Sequence, residues 1–315
     1  MSNQNPAKKL RLIFMGTPEF SEPILSALIK DETFEIVGVF TQTDKAVGRG
    51  QVLTAPAIKR LALANNLPVW QPLKIKDELD NIKNLQPDII IVAAYGKIIP
   101  PSILEVPTYG CLNVHASLLP KYRGAACLNA PILNGDSETG ITIMKMEAGL
   151  DTGPILKQAK IILQGDETLE IVHDKLSALG AEVLPTVIKD WVSGKIQAVT
   201  QDDAQASYVK TLTKEDGQID WSKSAQAIER LIRAYNPWPG TYSFKEGALI
   251  KILAVDKTPL ALNNYKVGEI FIDAGRLAVQ CGQDSLVILK LQTAGKKAMT
   301  SAEFLRGHKL EGILE

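Results

Sequence analysis

The feature that most constrains this chain is an alternation of apolar, strand-length runs with helix-length segments, which continues to about residue 200. "KKLRLIFMG", "FEIVGVFTQ" and "PDIIIVAAYG" read as strands. The run Ile89-Ile90-Ile91-Val92-Ala93 has no polar face at all, which a strand tolerates only when it is covered on both sides. Between the strands, "TPEFSEPILSALIKD" reads as a helix with Thr17 placed to cap it and Pro18 in its first turn. "APAIKRLALANN" and "KDELDNIKNL" are helical as well. Alternating β and α elements with continuously apolar strands predict an α/β fold with a doubly wound, mostly parallel sheet.

At 315 residues the chain exceeds what one core usually fills, so surface-to-volume scaling favours two domains. "GAACLNAPILNGD" reads as a helix, and "TGITIMKMEAGLDTGPILKQAKIIL" as two strands joined through Gly149-Leu150-Asp151. "ETLEIVHDKLSALGAEVLPTVIKDWVSG" reads as a long amphipathic helix. The polar stretch "KIQAVTQDDAQAS" then makes a linker. Beyond it one helix, "SAQAIERLIRAYN", precedes short β-like runs at the spacing of a small antiparallel barrel. The expected division is a first domain over 1–193, a linker at 194–207 and a second domain over 208–315.

Composition narrows the setting. Cys111, Cys127 and Cys281 are odd in number and widely spaced with no C-x-x-C pair, which argues against a disulfide framework or a zinc site and for a reducing, cytoplasmic compartment. The apolar run after Lys8 and Lys9 is strand-length, is broken by Arg11 and leads into Gly16-Thr17-Pro18-Glu19, so no secretion signal is expected. No stretch approaches the ~20 apolar residues of a membrane span. Net charge is zero but uneven: Tyr208 to Glu315 carry 15 Lys and Arg against 12 Asp and Glu, leaving 20 against 23 for the earlier part. A net +3 speaks to a partner only when a polyanion is implicated on other grounds.

Few residues invite a chemical reading. The glycine of "FMGTPEF" follows the first strand but lacks G-x-G-x-x-G, so no dinucleotide fingerprint is present. His173 lies within the long helix and His308 in a basic C-terminal tail; both are assigned to surface or packing. His115 differs. In "NVHASLLPKYRG" strand alternation puts Asn113 and His115 on one face and Val114 on the other. Ligands of doubly wound sheets bind beyond the carboxyl ends of the strands, where this pair and Tyr95-Gly96 both fall. Asp151 follows a strand between Gly149 and Gly153, where backbone freedom can present a carboxylate, although the same pattern also makes an ordinary turn. A carboxylate beside His115 would hold the imidazole in orientation and favour its protonated form.

At this point the residues carry a resemblance. "NVHASLLPKYRGAA", "ETGITIMKMEAGLDTG", "GTPEF" and "VAAYGKIIP" resemble the folate-dependent formyltransferase family, and "FTQTDKAVGRG", "YNPWPG" and "LQTAGKKAM" extend the likeness through nearly the whole chain. The resemblance implies a Rossmann-like first domain and an OB-like second. It also implies transfer of a formyl group from 10-formyltetrahydrofolate to the α-amine of methionine esterified to initiator tRNA. By it Asn113, His115 and Asp151 are the catalytic trio. Ser117, Leu118, Leu119 and Pro120, with Tyr95, Gly96 and Lys97, border the folate. The loop "TDKAVGRGQVL", with Lys45 and Arg49, meets the tRNA acceptor end, and basic groups of the second domain, among them Lys210, Arg233, Lys296 and Lys297, are candidates to neutralise phosphates. No metal and no membrane are called for, and a monomer is expected.

The chemistry needs these residue types. An amine attacking a formyl carbon creates an oxyanion. Asn113 and a protonated His115 can donate to it, each such donor being worth ~3 kcal/mol, while Asp151 keeps His115 charged or moves the amine proton. Relatives using glycinamide ribonucleotide or an amino sugar nucleotide would share the trio, and a non-catalytic nucleotide-binding protein would share the sheet. Those alternatives stand beside the tRNA reading.

Overall fold

Leu12, Ile13, Phe14 and Met15 are all fully buried in β1 (Leu10–Gly16), as a strand covered on both faces requires. A computed structural model describes residues 8–48, 50–307 and 311–315 of the chain. They fall into two compact units. The first holds the residues up to Gly124, Thr139–Ile161 and His173–Tyr208, and the second Ala125–Glu138, Ile162–Val172 and Val209–Glu315.

After β1 the chain forms α1 (Glu22–Lys30), β2 (Phe34–Phe40), β3 (Lys45–Val47), β4 (Val52–Thr54), α2 (Ala57–Ala64), β5 (Val69–Trp70), α3 (Leu79–Asn84), β6 (Ile89–Ala93), α4 (Pro101–Leu104) and β7 (Cys111–His115). Next come β8 (Arg123–Gly124), α5 (Ala130–Asn134), β9 (Glu138–Lys145), β10 (Ile155–Ile162) and α6 (Leu169–Val192). A seven-stranded sheet has the order β10-β9-β7-β6-β1-β2-β5. β5, β2, β1, β6 and β7 are mutually parallel, and β9 runs antiparallel to β7. This is the mostly parallel sheet that the alternation predicts. Gly16 stands opposite Ala93 and Val92 opposite Asn113, so β1, β6 and β7 finish along one edge. The loops after them are tied there: the Tyr95 carbonyl accepts from Thr17 Oγ1 at 3.0 Å and Gln42 Nε2 at 2.9 Å.

Three local expectations differ from the structure. Thr17 does not cap α1; its hydroxyl goes to Tyr95, and Ser21 occupies the N-cap position. The segment read as a loop around Gly48 and Gly50 is a hairpin, in which Lys45 faces Thr54 and Ala46 faces Leu53. The two glycines supply the turn, and the three residues on each side are too few for a periodic signal. The helix read over 124–136 contracts to α5, which ends where Gly135 adopts a left-handed conformation at φ 67°.

After β11 (Tyr208–Val209), at the boundary, the second unit holds α7 (Ala225–Tyr235), β12 (Tyr242–Lys245), β13 (Ala248–Val255), β14 (Glu269–Asp273), β15 (Arg276–Gln280), β16 (Ser285–Thr293), β17 (Met299–Thr300), α8 (Ser301–Gly307) and β18 (Gly312–Ile313). The antiparallel order is β12-β13-β16-β15-β14-β18. Just past β18 the backbones of Glu315 and Phe244 exchange two hydrogen bonds, at 2.8 and 3.1 Å. These return the sheet to β12 and close it into a barrel, which removes its open edge. α7 begins where Ser224 Oγ accepts from the Ala227 amide, and it puts Ile228 and Ile232 into the barrel core with Ile250, Leu277 and Leu286. Each such fully buried side chain contributes ~2 kcal/mol relative to exposure.

Candidate active site

β7 lies between β6 and β9, and its alternation sorts its side chains. Val114 is 3% exposed and faces Gly180 of α6, where an added Cβ would come 3.1 Å from Val114 Cγ1. Asn113 and His115 therefore share the opposite face. His115 is buried. Its Nε2 lies 3.0 Å from the Tyr122 carbonyl, and its Nδ1 lies 3.7 Å from Asp151 Oδ2. Asn113 Nδ2 is 3.5 Å from Asp151 Oδ1, and the Gly124 amide donates to Asp151 Oδ2 at 2.8 Å. The structure thus brings together all three residues singled out for catalysis.

Asp151 arrives from the connection between β9 and β10, and that connection is tightly constrained. Asp151 itself takes the left-handed conformation, at φ 53°. A non-glycine residue there costs about 1–2 kcal/mol and is held only by its surroundings. Gly153 serves close approach rather than a positive φ, because a Cβ on it would lie 1.8 Å from the Lys145 carbonyl oxygen.

The loop after β7 is fixed from within. Ser117 is fully buried, and its Oγ donates to the Lys121 carbonyl at 2.7 Å. Thr142 Oγ1 donates to the Ser117 carbonyl at 2.6 Å and accepts from the Leu119 amide at 3.0 Å, while Gln158 Nε2 donates to the Leu119 carbonyl at 2.7 Å. Ser117 and Leu119 thus shape the loop, and Leu118 and Pro120 are its half-buried members. Tyr95 is 1% exposed with no partner for its hydroxyl among the described residues, and burial pushes that hydroxyl's pKa up to about 12. Gly96 has φ 76°, and a Cβ there would meet Gln42 Nε2 at 2.4 Å. Lys97 Nζ is spent on the carbonyls of Pro72 and Leu73, at 2.6 and 2.9 Å.

The basic candidates separate by environment. Lys45, Lys296 and Lys297 are exposed. Lys210 is 75% exposed and pairs with Asp216 at 2.8 Å. Arg233 is largely buried on α7, bonded through two nitrogens to Glu229 and through Nη1 to the Glu167 carbonyl. Arg49 and His308 lie outside the described residues. His173 packs edge-on against Phe20 with ring centroids 5.5 Å apart and pairs with Asp174, in keeping with a packing role.

Sequence reasoning missed Arg123 and Gln201. Arg123 is 1% exposed and donates to Gln201 Oε1 from Nε at 3.1 Å and from Nη2 at 2.8 Å. Burial works against its charge, but bonds to Asp203 at 2.6 Å and Tyr208 at 3.0 Å outweigh that and raise its pKa. Gln201 belongs to the polar stretch read as a linker, which instead packs into the first unit; Val199 exchanges two backbone bonds with Ile155, both at 2.8 Å. Within that stretch Gln201 is the buried residue, while most of the others are exposed.

Among the described residues no group of three or more His, Cys, Asp and Glu could hold a metal ion, and no helix is long and apolar enough to cross a membrane. Residues 8–188 match the Formyl transferase family and residues 211–309 the Formyl transferase, C-terminal domain, family. The chain belongs to the formyl transferase family. A family member from Geobacter sulfurreducens named methionyl-tRNA formyltransferase is 44% identical over 306 residues, spanning 96% of this chain and 95% of that one. Another of that name, from Caldanaerobacter subterraneus subsp. tengcongensis, is 44% identical across 97% of this chain and 99% of its own. A crystal structure of the sugar 3N-formyl transferase WlaRD superposes with a TM-score of 0.66 at 20% identity, covering 92% of this chain and 100% of that one, a likeness of fold.

Proposed function

We propose that this formyl transferase moves the formyl group of 10-formyltetrahydrofolate onto the α-amino group of methionine carried by initiator tRNA, giving N-formylmethionyl-tRNA for translation initiation. One observation carries the reading: relatives bearing the corresponding name are 44% identical along nearly the full length of both chains. In the reaction the amine nitrogen bonds to the formyl carbon, the bond from that carbon to N10 of the folate breaks, the amine loses a proton and N10 gains one. Asn113 has one amide hydrogen directed at Asp151 and a second available to the developing oxyanion, to which a protonated His115 Nδ1 also donates. Asp151 balances the His115 cation and accepts the proton of the attacking amine. The loop Ser117–Pro120 and the Tyr95–Lys97 segment border the folate.

Residues 1–193 carry catalysis and folate binding, 194–207 pack with them and lead on to the rest, and 208–315 hold the tRNA body. Lys45 and Arg49 reach its acceptor end, with Lys210, Lys296 and Lys297 as the basic complement of the second domain; Arg233, expected among them, is spent on Glu229 and the Glu167 carbonyl. The chain acts in the cytoplasm as a monomer; its cysteines are buried and not joined in disulfides, which suits a reducing compartment. Comparing formyl transfer to charged initiator tRNA with transfer to glycinamide ribonucleotide and to an amino sugar nucleotide tests the reading. A small amine accepted as well as the tRNA rejects it.

A further inference from the structure

We propose that Arg123 and Gln201 are positioning residues that set the angle of the Asp151 carboxylate. The inference rests on the reading of Asp151 as a reacting group. Gln201 is 7% exposed, and its Nε2 donates to the carbonyls of Asp151 at 2.8 Å and Gly153 at 2.7 Å. Its Oε1 accepts both bonds from Arg123. Both hydrogens and both lone pairs of the amide are thereby used, and rotating it by half a turn would set oxygen against two carbonyls and NH2 against a guanidinium. Only one orientation fits.

The strut acts where support is required. Asp151 is held at a positive φ, uncommon for any residue with a Cβ, and Gln201 grips the carbonyls of Asp151 and Gly153. The other end of the strut is in register with the site: Tyr122 supplies the carbonyl against His115, Arg123 holds Gln201, and the Gly124 amide meets Asp151 Oδ2. Three consecutive residues thus fix the imidazole, the backbone beneath the carboxylate and the carboxylate itself. Asp203 is 81% exposed and Tyr208 is 63% exposed, so the outer end of Arg123 is anchored at the surface while its inner end is dry.

The test is a double-mutant cycle on the full chain, measuring kcat, KM for charged tRNA and folate affinity for Gln201→Ala, Asp151→Asn and the pair. Gln201→Ala is expected to lower kcat ~10- to 100-fold with folate affinity and tRNA KM within about twofold of the parent. In the Asp151→Asn background the same change is expected to lower kcat less than about twofold, because the group it positions is gone. Gln201→Glu keeps the shape and the Arg123 bonds but offers no N–H to either carbonyl. It is expected to reproduce the loss, and it replaces Gln201→Ala should that variant not fold. Effects that multiply in the cycle, or a Gln201→Glu enzyme with parental kcat, overturn the positioning role alone. Parental kcat in Asp151→Asn overturns the reading of the trio and this inference with it.

Discussion

His115 is oriented by Tyr122: its Nε2 lies 3.0 Å from the Tyr122 carbonyl oxygen. A carbonyl only accepts, so Nε2 carries the hydrogen and Nδ1 is the nitrogen that gains or loses a proton. That nitrogen is the one facing Asp151, at 3.7 Å. The backbone does the orienting that the sequence assigned to a carboxylate, and the role proposed for Asp151 narrows to charge compensation and proton transfer.

Replacing Asn113 or His115 by Ala therefore lowers kcat by ~10²–10⁴ while folate affinity stays nearly unchanged, because each removes a donor used mainly in the transition state. Steady-state kinetics and a folate titration check this. Near-normal turnover in either variant rules out its role.

The site was legible in part, for physical reasons. Asn113 and His115 could be placed on one face because a strand has a period of two, and Asp151 could be singled out because glycines flank it. Arg123 and Gln201 could not. A buried polar side chain satisfied by distant partners leaves no periodic trace, and Gln201 sits 78 residues from Arg123 within a stretch whose composition resembles a linker. The hairpin Lys45–Thr54 escaped for the opposite reason, since Gly48 and Gly50 announce a turn and the paired residues on each side are few.

Basic residues of the second unit should part into two behaviours. Arg233→Ala leaves Glu229, 2% exposed, without its cation, so it lowers unfolding stability by about 3 kcal/mol. Lys296→Ala and Lys297→Ala leave stability within about 0.5 kcal/mol but weaken tRNA binding and each reduce its salt slope by about 1. Urea unfolding and salt-dependent binding separate the two. Parental stability in Arg233→Ala contradicts the buried pair.

In sequence Arg49 falls between β3 and β4, and Val52 and Leu53 of β4 are 66% and 70% exposed. Arg49→Ala is expected to raise KM or lower kcat for charged tRNA by ~10-fold or more without altering folate affinity, as loss of a desolvated phosphate contact would. Unchanged tRNA kinetics would remove the hairpin from the acceptor-end site.

Stability falls in alkali. Burial pushes the thiols of Cys111 and Cys281 and the hydroxyl of Tyr95 up to about 12. In the unfolded chain these groups titrate near ~8.5 for Cys and ~10 for Tyr. The folded values are raised, so the unfolded state loses its protons first. Their contribution is fully present below pH ~8.5 and is lost as pH rises toward about 12. Urea midpoints decline over pH 8.5 to 10.5, and more shallowly in Cys111→Ala. An equally steep decline in that variant excludes Cys111 as a source.

Asn113, His115, Asp151, Gln201 and Tyr208 all belong to the first unit, so a fragment ending at Val209 keeps every contact of the candidate site. It does not keep everything before residue 209. α5 packs against α7, Asn129 Nδ2 donates to the Ala234 carbonyl at 2.7 Å and Arg230 Nη1 to the Asn134 carbonyl at 3.4 Å, so residues 125–138 belong with the second unit. Removing α7 uncovers Ala130 and Ile132, each 3% exposed in the full chain, and strips the Asn129 amide of its acceptor. The fragment is expected to keep the parallel sheet and folate binding, while amides of 125–138 exchange with solvent at rates near those of unfolded chain. Formylation of charged tRNA is expected to fall by ~10²-fold or more in kcat/KM, since the phosphate contacts proposed for the barrel are gone. Hydrogen exchange, a folate titration and tRNA kinetics on the fragment check the three parts separately. Undiminished kcat/KM for tRNA would assign the barrel to another partner, and slow exchange at 125–138 would show that α5 is held without α7.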